Sequence, residues 1–218
     1  MFNPSSTQPL LALAGPLEWW MILAVALLFF GGRKLPELAR QAVGADGVLY
    51  VPAARPPHKL EVKQTPAEHR LAMLRLALHD APHAAISTIE LDRAGDGEPS
   101  YTINTLEALM RQCPGAKFQL LIGADQAAIF DRWRRYADLE RLAKPLVMVR
   151  PPDTVESVLA RLSEAQRDRW RPRVLALPQM DVSSTAIRAS LANTQADVAP
   201  QVARYISEHG LYASEPEA

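Results

Sequence analysis

The chain has 218 residues, with 24 Lys and Arg balanced by 24 Asp and Glu, 48% hydrophobic residues and one cysteine, Cys113. That length suits one ordinary domain with a real core plus an appendage. Zero formal charge excludes a dedicated nucleic-acid binder, which carries a basic excess, and a single cysteine excludes a disulfide framework or a cysteine-based zinc site.

The charge is unevenly spread. Residues 1–32 contain one charged side chain, Glu18, and residues 19–30 form an unbroken apolar run ending in Gly31-Gly32 and the basic pair Arg33-Lys34. Only Ile22 and Val25 in that run are β-branched, so local propensity favours a helix. Twelve helical residues rise about 18 Å, short of a hydrocarbon core of roughly 30 Å, while the paired tryptophans and the basic end suit membrane interfaces. A buried core helix or strand is the alternative.

Gly15-Pro16-Leu17-Glu18-Trp19-Trp20, the apolar run, and Phe30-Gly31-Gly32-Arg33-Lys34-Leu35-Pro36-Glu37-Leu38-Ala39-Arg40 resemble the A/B-type subunit of the twin-arginine translocase. That resemblance implies a short membrane helix, a Phe-Gly hinge and an amphipathic helix, with membrane association through residues 17–32. It ends near residue 40. The chain therefore divides into an apolar N-terminal segment, 1–40, and an α/β domain, 41–218.

From Gly47 onward, short apolar runs bounded by Gly, Pro or Asp alternate with helical stretches. Residues 48–51, 85–91, 118–122, 146–149 and 174–177 read as buried strands. Thr65-Pro66-Ala67-Glu68 offers an N-cap, a first-turn proline and a capping-box glutamate for a helix carrying Leu71, Leu74 and Leu78. Residues 102–110, 126–142, 155–166 and 198–209 are further helices, the last closed by Gly210. The alternation predicts a parallel sheet covered on both faces, with ligands beyond the carboxyl ends of the strands.

The polar residues just past those strands are the candidate site. His58-Lys59 follow a stiff double proline and present donors suited to phosphate or carboxylate, a solvated turn being the alternative. Asp125 ends Gly123-Ala124-Asp125, and Trp133 stands among arginines, suited either to stacking a flat ring or to anchoring the fold. Ser183-Ser184-Thr185 with Arg188 one turn on would make an anion site from a helix start and a guanidinium, or simply an N-cap. His79 and His83 read as structural or surface residues.

These pieces, with Ser100-Tyr101-Thr102-Ile103-Asn104-Thr105-Leu106, Arg150-Pro151 and the ending Tyr205-Ile206-Ser207-Glu208-His209-Gly210-Leu211-Tyr212, resemble nicotinate-nucleotide adenylyltransferase in order and spacing, over about residues 38–212. The resemblance implies a doubly wound, Rossmann-like parallel sheet of the nucleotidylyltransferase type. It implies transfer of an adenylyl group from ATP, with Mg²⁺, to nicotinate mononucleotide, without a covalent enzyme intermediate. Ser183, Ser184, Thr185 and Arg188 would then hold the ATP phosphates, while His58, Lys59, Tyr101, Thr102, Asp125, Trp133 and Arg150 would line the mononucleotide site. The implied location is cytoplasmic, tethered to the inner face of the membrane where residues 17–32 insert.

One departure stands at the front. The family opens with a strand, Phe-Gly-Gly and a His-x-Gly-His loop, whereas here Phe30-Gly31-Gly32 runs directly into Arg33-Lys34, and no His-x-Gly-His occurs anywhere. Two alternatives follow: a translocase-type membrane subunit carrying an inactive domain, and a noncatalytic nucleotide binder. The family's first strand belongs near the middle of the sheet, and residues 23–30 are candidates to replace it.

Overall fold

The computed structural model describes residues 20–25, 34–55, 65–96, 99–149, 153–175 and 198–212. Among these residues, six parallel strands form one sheet: β1 (Trp20–Val25), β2 (Gly47–Val51), β3 (Ala84–Ile86), β4 (Lys117–Gly123), β5 (Leu146–Met148) and β6 (Val174–Leu175). Their spatial order is β3-β2-β1-β4-β5-β6. That is the doubly wound order, whose direction reverses between β1 and β4 and leaves a crevice at their carboxyl ends.

Side-chain alternation explains why both faces are covered. Leu49 and Val51 of β2, Leu120 and Ile122 of β4, and Val147 of β5 face one cluster; Val48 and Tyr50, Leu121, and Leu146 and Met148 face the other. Both parities are apolar because a parallel sheet is buried on both sides. The first face receives Ile103, Leu106 and Leu109 of α4 (Thr102–Gln112) and Leu139 and Ala143 of α6 (Tyr136–Ala143), with Phe130 and Trp170. The second receives Ala39 of α1 (Lys34–Val43) and Leu74 of α2 (Ala67–Ala77), with Leu78 just past its end. The remaining α-helices among the described residues are α3 (Ile89–Asp92), α5 (Ala124–Ala128), α7 (Val155–Ala160), α8 (Glu164–Trp170) and α9 (Pro200–Glu208). Helix α9 lies on α2, where Val202 and Ile206 bury Met73.

The apolar run is the first correction. Trp20–Val25 is a strand in the middle of the sheet, not part of a helix over 19–30, with Leu23 in register with Leu49 on one side and Leu120 on the other. Pairing on both edges outweighs the helical preference of Leu and Ala, a preference of a few tenths of a kcal/mol per residue. The replacement strand thus lies three residues earlier than 23–30, of which residues 26–30 fall outside the described residues. Among the described residues, no helix is long and apolar enough to cross a membrane.

Helix α1 forms where the Lys-Leu-Pro-Glu-Leu-Ala-Arg motif predicts one. Its proline sits in the first turn, where no hydrogen bond is lost. Arg40 donates to Glu37 at 2.7 Å and to the Ala45 carbonyl at 2.8 Å, fastening the helix end to the turn before β2. Gly44 ends the helix at φ +66°, a left-handed position that disfavours a side chain.

Four further expectations are revised. The run 85–91 is not one strand: β3 stops at Ile86, and α3 begins at Ile89. The helix over 126–142 is interrupted, since a 3₁₀ turn (Phe130–Arg132) follows α5 and Arg135 adopts φ 53° before α6. The helix over 155–166 is two helices, because Ser163 caps α8 through a box with Gln166. At α2 the expected Thr65–Glu68 box is absent; Pro66 precedes the helix without a side-chain cap, and the Thr65 carbonyl instead accepts from Arg70 Nε at 3.0 Å.

Candidate nucleotide site

The site residues that the structure describes gather past the carboxyl ends of β2 and β4. Strand β2 runs out through Pro52 to Arg55, and this exit is tied to the start of α4. The Ser100 N–H donates to the Arg55 carbonyl at 2.9 Å, and the Arg55 N–H donates to Ser100 Oγ at 3.1 Å. Arg70 braces the same segment, donating through Nη1 to the Ala53 carbonyl at 2.7 Å. Burial lowers the Arg70 pKa from its ordinary value, with Tyr212 opposing that shift.

Tyr101 and Thr102 open α4, Tyr101 half-buried and Thr102 buried. The Tyr101 carbonyl accepts from the N–H groups of Asn104 at 3.0 Å and Thr105 at 3.3 Å. The Arg134 guanidinium lies 4.6 Å from the centre of the Tyr101 ring, and Arg135 pairs with Glu107 of α4 at 2.8 Å. The segment carrying Trp133 is thereby docked on the helix carrying Tyr101.

Trp133 is half-buried, its ring 5.4 Å from that of the fully buried Phe130. Its indole Nε1 is buried without a hydrogen-bond acceptor among the described residues. Trp133 thus packs against the main core cluster. Phe130 packs edge-on against Trp170 at 5.3 Å, and Asp131 accepts from Arg169 at 2.6 Å and Gln166 at 2.9 Å. Helix α8 so holds this segment from behind. Asp125 is exposed in the first turn of α5 and accepts from Gln126 Nε2 at 2.9 Å.

Tyr101, Thr102, Asp125 and Trp133 thus share one end of the sheet. His58, Lys59, Arg150, Ser183, Ser184, Thr185 and Arg188 lie outside the described residues. Arg150 follows Val149 at the exit of β5, and His58-Lys59 follow Arg55 at the exit of β2. No group of three or more His, Cys, Asp or Glu able to hold a metal ion occurs among the described residues.

A buried polar network beside Tyr101 escaped the sequence reading. Glu90 is 2% exposed and Thr105 is fully buried; Thr105 Oγ1 donates to Glu90 Oε1 at 2.6 Å and accepts from Arg93 Nη2 at 2.8 Å. Burial pushes the Glu90 carboxyl above its ordinary value, against the opposing Thr105 and Ser100 hydroxyls and the Arg93 charge. Glu90 and Arg93, with Ser100, Tyr101 and Asn104, border a cleft of about 290 Å³. The available signal was an acid and a base three apart just before the Ser100-Tyr101-Thr102 motif, masked by reading residues 85–91 as a strand.

The sheet is doubly wound and parallel, with polar residues at its carboxyl ends, and the cytidylyltransferase-like family model matches residues 30–190, which puts the chain among the α/β nucleotidyltransferases. The chain belongs to the nicotinate-nucleotide adenylyltransferase family. It is 34% identical to a probable nicotinate-nucleotide adenylyltransferase of Trichlorobacter lovleyi over 196 residues, spanning 82% of this chain and 91% of that protein. A relative of the same name from Roseiflexus is 36% identical over 190 residues, spanning 85% and 92%. Among solved structures, nicotinic acid mononucleotide adenylyltransferase of Plasmodium falciparum, complexed with NaAD, aligns at a TM-score of 0.64 with 14% identity, covering 91% of this chain and all of that one. That likeness speaks for the fold alone. The mttA/Hcf106 family model matches residues 14–45, consistent with the translocase-like character of the N-terminal segment.

Proposed function

We propose that the chain transfers the adenylyl group of ATP to nicotinate mononucleotide, forming nicotinate adenine dinucleotide and releasing pyrophosphate. The observation that carries the reading is the gathering of Tyr101, Thr102, Asp125 and Trp133 at one end of the sheet, in a chain whose relatives of that name match it over more than four-fifths of its length.

A phosphate oxygen of the mononucleotide attacks the α-phosphorus of ATP in line, the P–O bond to pyrophosphate breaks, and no enzyme-bound intermediate forms. Such chemistry asks the protein to align two anions and offset their charge. Tyr101, Thr102 and Trp133 hold the mononucleotide, with His58, Lys59, Asp125 and Arg150 around it. Ser183, Ser184, Thr185 and Arg188 receive the phosphates of ATP, which enters as its Mg²⁺ complex.

We also place the start of the catalytic domain ahead of Trp20 rather than at residue 41. Support comes from β1 and α1, which together supply the middle strand and one covering helix. A run paired on both edges within a sheet cannot at the same time cross a bilayer as a helix, which weighs against the translocase reading.

The test is dinucleotide formation by the full-length chain with ATP, nicotinate mononucleotide and Mg²⁺, beside Trp133→Ala and Arg188→Ala. Turnover that falls in both variants supports the assignment. Folded protein that binds ATP without turnover would indicate a noncatalytic nucleotide binder.

A further inference from the structure

We propose that Glu90 is a positioning residue for the mononucleotide site, acting through the Thr105 hydroxyl on the first turn of α4. The inference rests on the reading of Tyr101 and Thr102 as mononucleotide-binding residues. Helix α4 begins at that pair without a side-chain cap at Tyr101, so the usual device for fixing a helix start is missing. The fixing comes from inside. Thr105, one turn along, gives its N–H to the Tyr101 carbonyl and its hydroxyl proton to Glu90 Oε1 at 2.6 Å.

The anchor is itself constrained. Arg93 bonds the same hydroxyl through Nη2 and the Ile89 carbonyl through Nε at 3.1 Å, which joins the four-residue helix α3 to α4. Ser100, immediately before Tyr101, is bonded in both directions to Arg55 at the exit of β2. Three backbone segments therefore converge on the turn that presents Tyr101 and Thr102. A buried carboxylate is a costly way to fill space that an apolar side chain would fill readily. Its bond to the Thr105 hydroxyl, which Arg93 engages from the other side, points to registration of α4, since a shift of about 1 Å in a positioning group is enough to change substrate handling.

The test uses the full-length chain, with steady-state kinetics for each substrate and amide hydrogen exchange without ligands. Glu90→Ala and Thr105→Val are each expected to raise the KM for nicotinate mononucleotide about tenfold, with the KM for ATP and kcat altered less than about twofold. Their double variant is expected to show no more than the larger single effect, because both break one tether. Glu90→Gln and Thr105→Ser, which preserve an acceptor and a hydroxyl, recover most of the loss. Exchange at the amides of Asn104 and Thr105 quickens in Glu90→Ala while that of β4 stays unchanged.

An active wild type whose Glu90→Ala variant keeps its mononucleotide KM, or loses affinity for both substrates alike, overturns the proposal. A folded wild type without turnover would refute the assigned reaction itself, before any variant is compared.

Discussion

The guanidinium of Arg134 stands over the ring of Tyr101 at 4.6 Å from its centre, linking the segment that follows β4 to the first residue before α4. Two parts of the site that lie more than thirty residues apart in the chain are thus set against each other. A cation over an aromatic face at a partly exposed position contributes about 0.5–1 kcal/mol. Arg134→Ala is therefore expected to weaken nicotinate mononucleotide binding about two- to fivefold, and Tyr101→Ala to weaken it more, since the ring itself is lost. Titration calorimetry of the two variants measures both effects.

The middle strand β1 is paired along both edges. Leu23 is in register with Leu49 and Leu120, so Leu23→Pro removes a ladder donor where neither edge is free. The expected loss is about 3 kcal/mol or more, enough to remove much of a typical domain's stability. Chemical denaturation and expression as soluble protein report it. If the run lay outside the sheet, the same substitution would leave the unfolding midpoint unchanged.

Behind Trp133, packing and charge make unequal contributions. Phe130 and Trp170 are fully buried and meet edge to face, so truncating either to alanine is expected to cost about 3–5 kcal/mol. Asp131 and Arg169 form a 2.6 Å ion pair whose side chains retain 39% and 25% exposure, and solvent screening limits Asp131→Ala to about 1 kcal/mol or less. Denaturation of the three variants gives the ranking.

The buried Glu90 carboxyl carries a pH signature. Its pKa is raised from 4.5 by burial, so between the ordinary and the raised value the folded chain holds a proton that the unfolded chain has released. Stability from this group is at its greatest below the ordinary value, falls as pH rises through the raised one, and levels off above it. Glu90→Gln removes this fall. The stability difference between wild type and Glu90→Gln, followed by urea denaturation from about pH 4 to about pH 8, is expected to shift in favour of the variant as pH rises.

Much of this architecture is legible in the sequence because parallel strands leave a plain trace. The runs holding Val48, Leu120 and Val147 are apolar at both parities, Asp125 and Trp133 follow the end of one of them, and Tyr101 and Thr102 are legible through the family motif they belong to. What the sequence conceals is set by tertiary partners. Leu and Ala in 20–25 favour a helix locally, and pairing with β2 and β4 reverses that preference. Arg135 breaks a helical pattern through a left-handed backbone that its contacts with Glu107 and Asp138 support. The Ser163–Gln166 box was readable in principle, as a Ser three residues before a Gln, but lay inside a continuous helical pattern. Glu90 was hidden because a four-residue helix leaves no periodicity to detect.

The most direct test of the account is the stoichiometry of the reaction. Purified full-length chain, given ATP, nicotinate mononucleotide and Mg²⁺, is followed by phosphorus magnetic resonance. The account predicts nicotinate adenine dinucleotide and pyrophosphate appearing in equal amounts, and neither without the mononucleotide. Folded protein that leaves both substrates unchanged, or that releases phosphate from ATP without forming the dinucleotide, would contradict it.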